Sequence, residues 1–202
     1  MDTTYSCVGG IVASVKGAAL GAKIGTVLGP VGTAVGGFVG GIANTEDTML
    51  RFEGLCKALN KHGLSFDDKY KFDGDYQFFS GVEAVSYFMS LEEGLPDAIA
   101  CANDEMAIGM AVGFKKRGVK VPKNLKITGV DFDSISRIYY PRLTTVKRQQ
   151  YQKGVAAVTT LHEIENHTKG ERIVMDVQLA CGETCGCKPE LPAMDPNVTN
   201  AL

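Results

Sequence analysis

The sequence predicts an α/β lobe, a parallel sheet with helices between its strands, preceded by a glycine-rich helical segment. Three observations predict it. Short apolar runs alternate with helical patterns across residues 37–180, and such alternation implies parallel βαβ units with right-handed crossovers. The runs at 97–102 and 125–130 are each followed by acidic or amide residues, Asn103, Asp104 and Asp131. Polar residues at the carboxyl ends of strands are where open α/β sheets bind ligands. Residues 1–36 have another texture, so the lobe is expected to start near Gly37 and to end near Cys187, leaving 188–202 as an aperiodic, disordered tail.

Within the first 36 residues, Gly17, Gly21, Gly25 and Gly29 recur every fourth position, as do Gly32, Gly36 and Gly40. That spacing puts the glycines of each run on one helix face. A glycine face permits close helix contact, although each interior glycine costs a helix about 1 kcal/mol relative to alanine. Lys16, Lys23 and Gly29-Pro30 interrupt the apolar run before it reaches the ~20 residues of a membrane span. The segment reads as a loosely ordered or core-packing arm. The competing reading is a membrane-active or self-associating glycine zipper, similar only in composition to small bacteriocin-like peptides, with membrane contact through 8–43.

The elements run in this order. Residues 37–43 (GFVGGIA) fit a buried strand. Asn44, Thr45 or Asp47 can cap the next helix, whose apolar face is Leu50, Phe52, Leu55, Cys56 and Leu59 within 49–62. Gly63 suits its C-terminal cap. A short strand is expected at 70–72, a turn at 73–76, and a helix over 80–91. The strand at 97–102, the helix at 105–117 and the strand at 125–130 make the central βαβ unit. A long connection (131–141), a strand (143–147), a helix (151–167) and a final strand (172–180) complete the pattern.

Composition excludes several function classes. The chain has 202 residues and a net charge of −2, which gives no electrostatic basis for non-specific nucleic-acid binding. The amino terminus lacks a basic segment leading directly into an apolar core, so a cytoplasmic protein is expected. Enzyme chemistry finds no support. His162, Glu163 and His167 approach a zinc-protease motif, but the histidines are five apart and do not share a helix face. No nucleophile elbow, P-loop or dinucleotide fingerprint is present. Cys181, Cys185 and Cys187 form a C-x3-C-x-C run, which is not a standard zinc spacing. The trio reads as reduced or redox-sensitive thiols, with metal binding the lesser reading. No cofactor and no metal are expected.

Four blocks carry a family likeness: DTMLRFEGLCKAL, DGDYQFFSGVEAV, PDAIACANDEMAIGMAVGFKKRGVKVPKNLKITGVDFDS and YPRLTTVKRQQYQKGVAAV. In this order and spacing they resemble the ligand-binding core of the lactose-repressor (LacI/GalR) family over residues 37–187. The resemblance implies a periplasmic-binding-protein type I fold, in which two Rossmann-like lobes enclose a cleft. Residues 37–43 then correspond to the first strand of the second lobe. The first lobe and the DNA-reading helix-turn-helix would precede it, so the chain is expected to be the second half of a sensor, apparently truncated, joined to the glycine-rich segment.

The same resemblance implies non-enzymatic carbohydrate binding, the sensing of a sugar or related metabolite by a transcriptional regulator or signalling protein. No direct nucleic-acid contact is expected. A partner lobe or a second copy of the chain is the expected macromolecular partner. Six ligand contacts carry over. Arg51 offers a rigid fork of donors. Tyr76 supplies an aromatic wall. Asn103 donates and accepts, and Asp104 accepts; one of this pair is expected to face the cleft and the other to help cap the helix, with Asn103 the more frequent ligand contact. Asp131 suits a sugar diol, and Gln149 lies near the crossover between lobes.

Overall fold

The computed structural model describes residues 37–41, 45–165, 173 and 175–187. The glycine zipper of 1–36 and the tail of 188–202 lie outside the described residues. Strand β1 (Gly37–Gly40) is buried along its length. Helix α1 (Glu46–Lys61) begins one turn earlier than its apolar stripe suggests. Thr45 is its N-cap residue, but the Thr45 hydroxyl donates to Thr48 Oγ1 at 2.9 Å and does not cap the backbone. At the other end Gly63 has φ 73°. The amides of Gly63 and Leu64 donate to the carbonyls of Asn60 and Leu59, both at 3.0 Å. This paired closure needs a left-handed residue, which glycine adopts without a Cβ penalty.

A 3-10 turn (Asp68–Tyr70) leads into strand β2 (Lys71–Asp73). Helix α2 (Phe78–Met89), strand β3 (Ala98–Cys101), helix α3 (Asp104–Lys116) and strand β4 (Lys126–Asp131) come next. The long connection contains a short helix, α4 (Ser134–Ile138), which the sequence pattern did not reveal. Strand β5 (Thr144–Lys147), helix α5 (Gln150–Glu165) and strand β6 (Gln178–Ala180) complete the order.

The sheet runs β2-β1-β3-β4-β5-β6. Strands β1 to β5 are parallel, with Val39 opposite Cys101 and Asp131 opposite Lys147. The final strand departs from the parallel expectation: β6 pairs antiparallel to β5, Leu179 opposite Val146. Among the described residues of the 172–180 predicted, only Gln178–Ala180 are in strand and pair with β5. The chain moves from β1 to β2 in one direction and from β2 across β1 to β3 in the other. Right-handed crossovers therefore put α1 on one face and the packed pair α2 and α3 on the other. The core between sheet and helices holds Phe38, Phe88, Ile99, Met106, Phe114 and Ile127, each at most 2% exposed. Full burial of side chains this size contributes about 1.5–3 kcal/mol apiece. None of the residues of α5 is buried.

Candidate ligand-binding edge

The strand order reverses between β1 and β3, and that reversal locates the site. At such a switch point the two flanking crossovers leave on opposite faces, so a crevice opens beyond the carboxyl ends. Here those ends are Gly40-Gly41 and Ala102-Asn103, tied by Ala102 N–H donating to the Val39 carbonyl at 2.9 Å. The Gly74 amide donates to the Gly40 carbonyl at 3.1 Å, which brings the β2–α2 turn alongside.

Tyr76 comes from that turn, with φ 69°. A non-glycine residue in this region carries strain and is held by its surroundings. Two contacts hold it. Asn103 Nδ2 donates to the Tyr76 carbonyl at 2.7 Å, and the Tyr76 hydroxyl pairs with Thr48 Oγ1 at 2.7 Å. Gly41 makes room, since a Cβ there would lie 1.9 Å from the Tyr76 ring.

Arg51 reaches over the switch point from α1. Its guanidinium lies 5.9 Å from the Tyr76 ring centroid, donates to the Ala102 carbonyl and pairs with Asp47 at 2.6 Å. The side chain is 18% exposed, so it is held in place with part of its donor fork open.

The duties expected of Asn103 and Asp104 are distributed otherwise. Asn103 Oδ1 accepts from the Met106 amide at 3.0 Å, capping α3. With its amide on Tyr76, this 7%-exposed side chain is already engaged at both ends. Asp104 does not reach the surface at all. Its carboxylate accepts from Thr145 Oγ1 and from the Asp133 amide, the latter at 2.9 Å. Gly129 leaves space for it: a Cβ there would stand 2.4 Å from Asp104 Oδ1. Burial raises the Asp104 pKa to about 6, against the opposing pull of Thr145, Asp133 and Ser136, while nearby Asp131 adds to the rise. Asp104 therefore braces β4 and β5 from beneath the site.

Asp131 closes β4 with φ 119°, followed by Phe132 at 60°. Burial raises its pKa, and Arg148 and Arg51 pull it back down. Arg148 Nη2 lies 2.5 Å from Asp131 Oδ1, yet this oxygen and Arg148 Nε have no geometrically acceptable hydrogen bond. The contact is a close ion pair with poor alignment, leaving directional capacity on both groups. Sequence reasoning selected Gln149 and passed over Arg148. The alternation of β5 was the available signal, because Arg148 shares the parity of Thr144 and Val146 on the α1 face.

Two recesses adjoin this edge. One of about 500 Å³ lies between α1 and the sheet, with Asp47, Arg51, Arg148 and Lys153 among its lining and Phe38 and Val146 beneath. The other, about 960 Å³, lies between α1 and α5 and includes Arg148 and Gln149. Tyr76, Asn103, Asp104 and Asp131 line neither. Of the six predicted residues, Tyr76 contacts both Arg51 and Asn103, Asp104 is buried beneath them, Asp131 is linked to Arg51 electrostatically, and Gln149 stands apart in the larger recess. No helix among the described residues is long and apolar enough to cross a membrane.

Comparison with known proteins agrees with the strand order. The periplasmic binding protein-like domain matches residues 34–185. The HTH-type transcriptional repressor PurR of Pasteurella multocida is 34% identical over 127 residues, 63% of this chain and 38% of that protein. Catabolite control protein A of Priestia megaterium is 37% identical over 116 residues, 57% of this chain and 35% of its own length. The matches thus span little more than a third of these curated relatives. The crystal structure of a LacI transcriptional regulator from Bacillus cereus subsp. cytotoxis superposes with a TM-score of 0.70 at 28% identity, covering 77% of this chain and 55% of that one. With its sheet order, switch-point crevice and sequence likeness in accord, the chain belongs to the periplasmic binding protein-like domain family, and its relatives within that family are LacI-type transcriptional regulators.

Proposed function

We propose that this lobe forms one wall of a cleft that senses a small polyhydroxylated ligand, sugar-like in its chemistry, for a transcriptional regulator, without catalysis. The observation carrying the reading is that Tyr76 and Asp131 both occupy strained, positive-φ backbone at the carboxyl edge. Strain of about 1–3 kcal/mol per residue persists where the surrounding structure over-determines it, and such residues cluster at binding sites. Beside them stand the Arg51 guanidinium and the poorly aligned Asp131–Arg148 pair. An aromatic face, a carboxylate and a fork of donors suit a diol on an apolar ring. Gln149 would meet the ligand only from the adjoining recess at the β5 end, and Asp104 acts through the strands it braces.

One wall makes only part of the contacts of a closed cleft, so the chain by itself binds weakly. In the complete regulator, closure of two lobes on ligand would shift the equilibrium that the output reads. Titration of the isotope-labelled chain with a panel of monosaccharides and nucleobases, followed by amide chemical shifts, tests this. The expected result is millimolar binding by a sugar, with shifts confined to residues around Arg51, Tyr76 and Asp131. Shifts mapping elsewhere, or micromolar affinity by the lone chain, would overturn it.

A further inference from the structure

At the opposite edge of the sheet, the loop after β6 gathers three sulfurs. The Sγ atoms of Cys181, Cys185 and Cys187 all lie within 4.8 Å of one another, and Cys185 is 2% exposed. The loop is built into the fold. Glu183 and Thr184 donate their amides to the Arg142 carbonyl at 2.7 and 3.0 Å. Ile127 N–H donates to the Thr184 carbonyl at 3.1 Å. Thr144 N–H donates to Thr184 Oγ1 at 2.9 Å, and Gly182 N–H donates to Thr144 Oγ1 at 3.0 Å. These bonds fasten the loop to the amino-terminal ends of β4 and β5. The sulfurs are therefore held on a rigid frame, far along the strands from Asp131.

Two sulfurs that share an ion at about 2.3 Å from each can stand at most ~4.6 Å apart. Three sulfurs arranged around one ion in a plane stand ~4.0 Å apart, so sulfurs already within 4.8 Å of one another need to close by no more than about 0.8 Å. No histidine or carboxylate joins the three sulfurs among the described residues. A set of three thiolates favours a soft ion content with three-coordination over zinc, whose structural sites are almost always tetrahedral. Cys187 is disulfide-bonded here, so the complete ligand set requires reduction. A dithiol or phosphine supplies two electrons, two protons convert the disulfide to two thiols, and metal binding then displaces the thiol protons.

We infer that, once the Cys187 disulfide is reduced, Cys181, Cys185 and Cys187 form a three-thiolate site for one thiophilic ion of the Cu(I) type. The test uses the full chain, anaerobic, reduced with a phosphine that is then removed, and titrated with Cu(I) against bicinchoninate. One Cu(I) per chain should resist the competitor after reduction, and before it, when of the trio only Cys181 and Cys185 are free thiols, retention should be at least tenfold weaker. Cys185→Ser and Cys187→Ser should each weaken retention at least tenfold, whereas Cys56→Ser leaves it unchanged. Cys185 is buried, so Cys187→Ser, checked for native circular dichroism, carries the result if Cys185→Ser does not fold. Retention unaffected by Cys187→Ser, no retention after reduction, or retention of Zn(II) in place of Cu(I) would overturn the assignment.

Discussion

The side-chain amide of Asn103 donates to the backbone carbonyl of Tyr76 at 2.7 Å, while its oxygen caps α3. One residue thereby couples the helix after β3 to the turn after β2. Asn103→Ser keeps a capping oxygen and loses the bond to Tyr76; Asn103→Ala loses both. Urea unfolding should show Ala destabilised by roughly 1–2 kcal/mol, with Ser between Ala and the parent. Equal stabilities for Ser and Ala would mean that the cap, not the bond to Tyr76, is dispensable.

Asp104 predicts a pH signature. Its pKa is about 6 in the fold against 3.8 for the unperturbed group. Below pH ~4 the carboxyl is protonated in both states. Between ~4 and ~6 the folded chain holds a proton that the unfolded chain has released, so stability falls as pH rises through that window. Above ~6 the cost is constant, on the order of 3 kcal/mol. Asp131, raised in the same direction by burial, remains in both proteins if Asp104→Asn is compared with the parent. Stability measured by urea from pH 4 to 7 should decline more steeply in the parent than in Asp104→Asn. Parallel profiles would reject a raised pKa at Asp104.

The Asp131–Arg148 contact predicts an asymmetric double-mutant cycle. Asp131 is 13% exposed and Arg148 is 34% exposed at the side chain. Arg148→Met leaves a largely buried carboxylate with less compensation, whereas Asp131→Asn leaves a cation able to reach water. Arg148→Met should destabilise more than Asp131→Asn, with a coupling of about 0.5–1 kcal/mol in the cycle. A coupling indistinguishable from zero would show that the ion pair contributes nothing to positioning Asp131.

Much of this architecture was legible in the residues. The apolar runs at 97–102 and 125–130 became β3 and β4 within one residue at each end, because strands buried on both faces are continuous apolar runs. Gly63 announced its helix end through a conformation that few other residues adopt without strain. The start of helix α1 was hidden, since its first residues, Glu46 to Thr48, carry no apolar stripe. Helix α4 was hidden too, because five residues are too few to show a period.

Local sequence, then, determined the alternating elements, the polar strand ends and the family likeness, all of which depend on neighbours along the chain. Tertiary structure decided the rest. It turned Asp104 inward through contacts with Thr145 and Asp133, 41 and 29 residues away, and drew Arg148 to Asp131. It reversed β6 and brought three cysteines to one corner. Side-chain direction at a strand end is set by backbone φ and by which strand lies alongside, and neither can be read from the spacing of residue types.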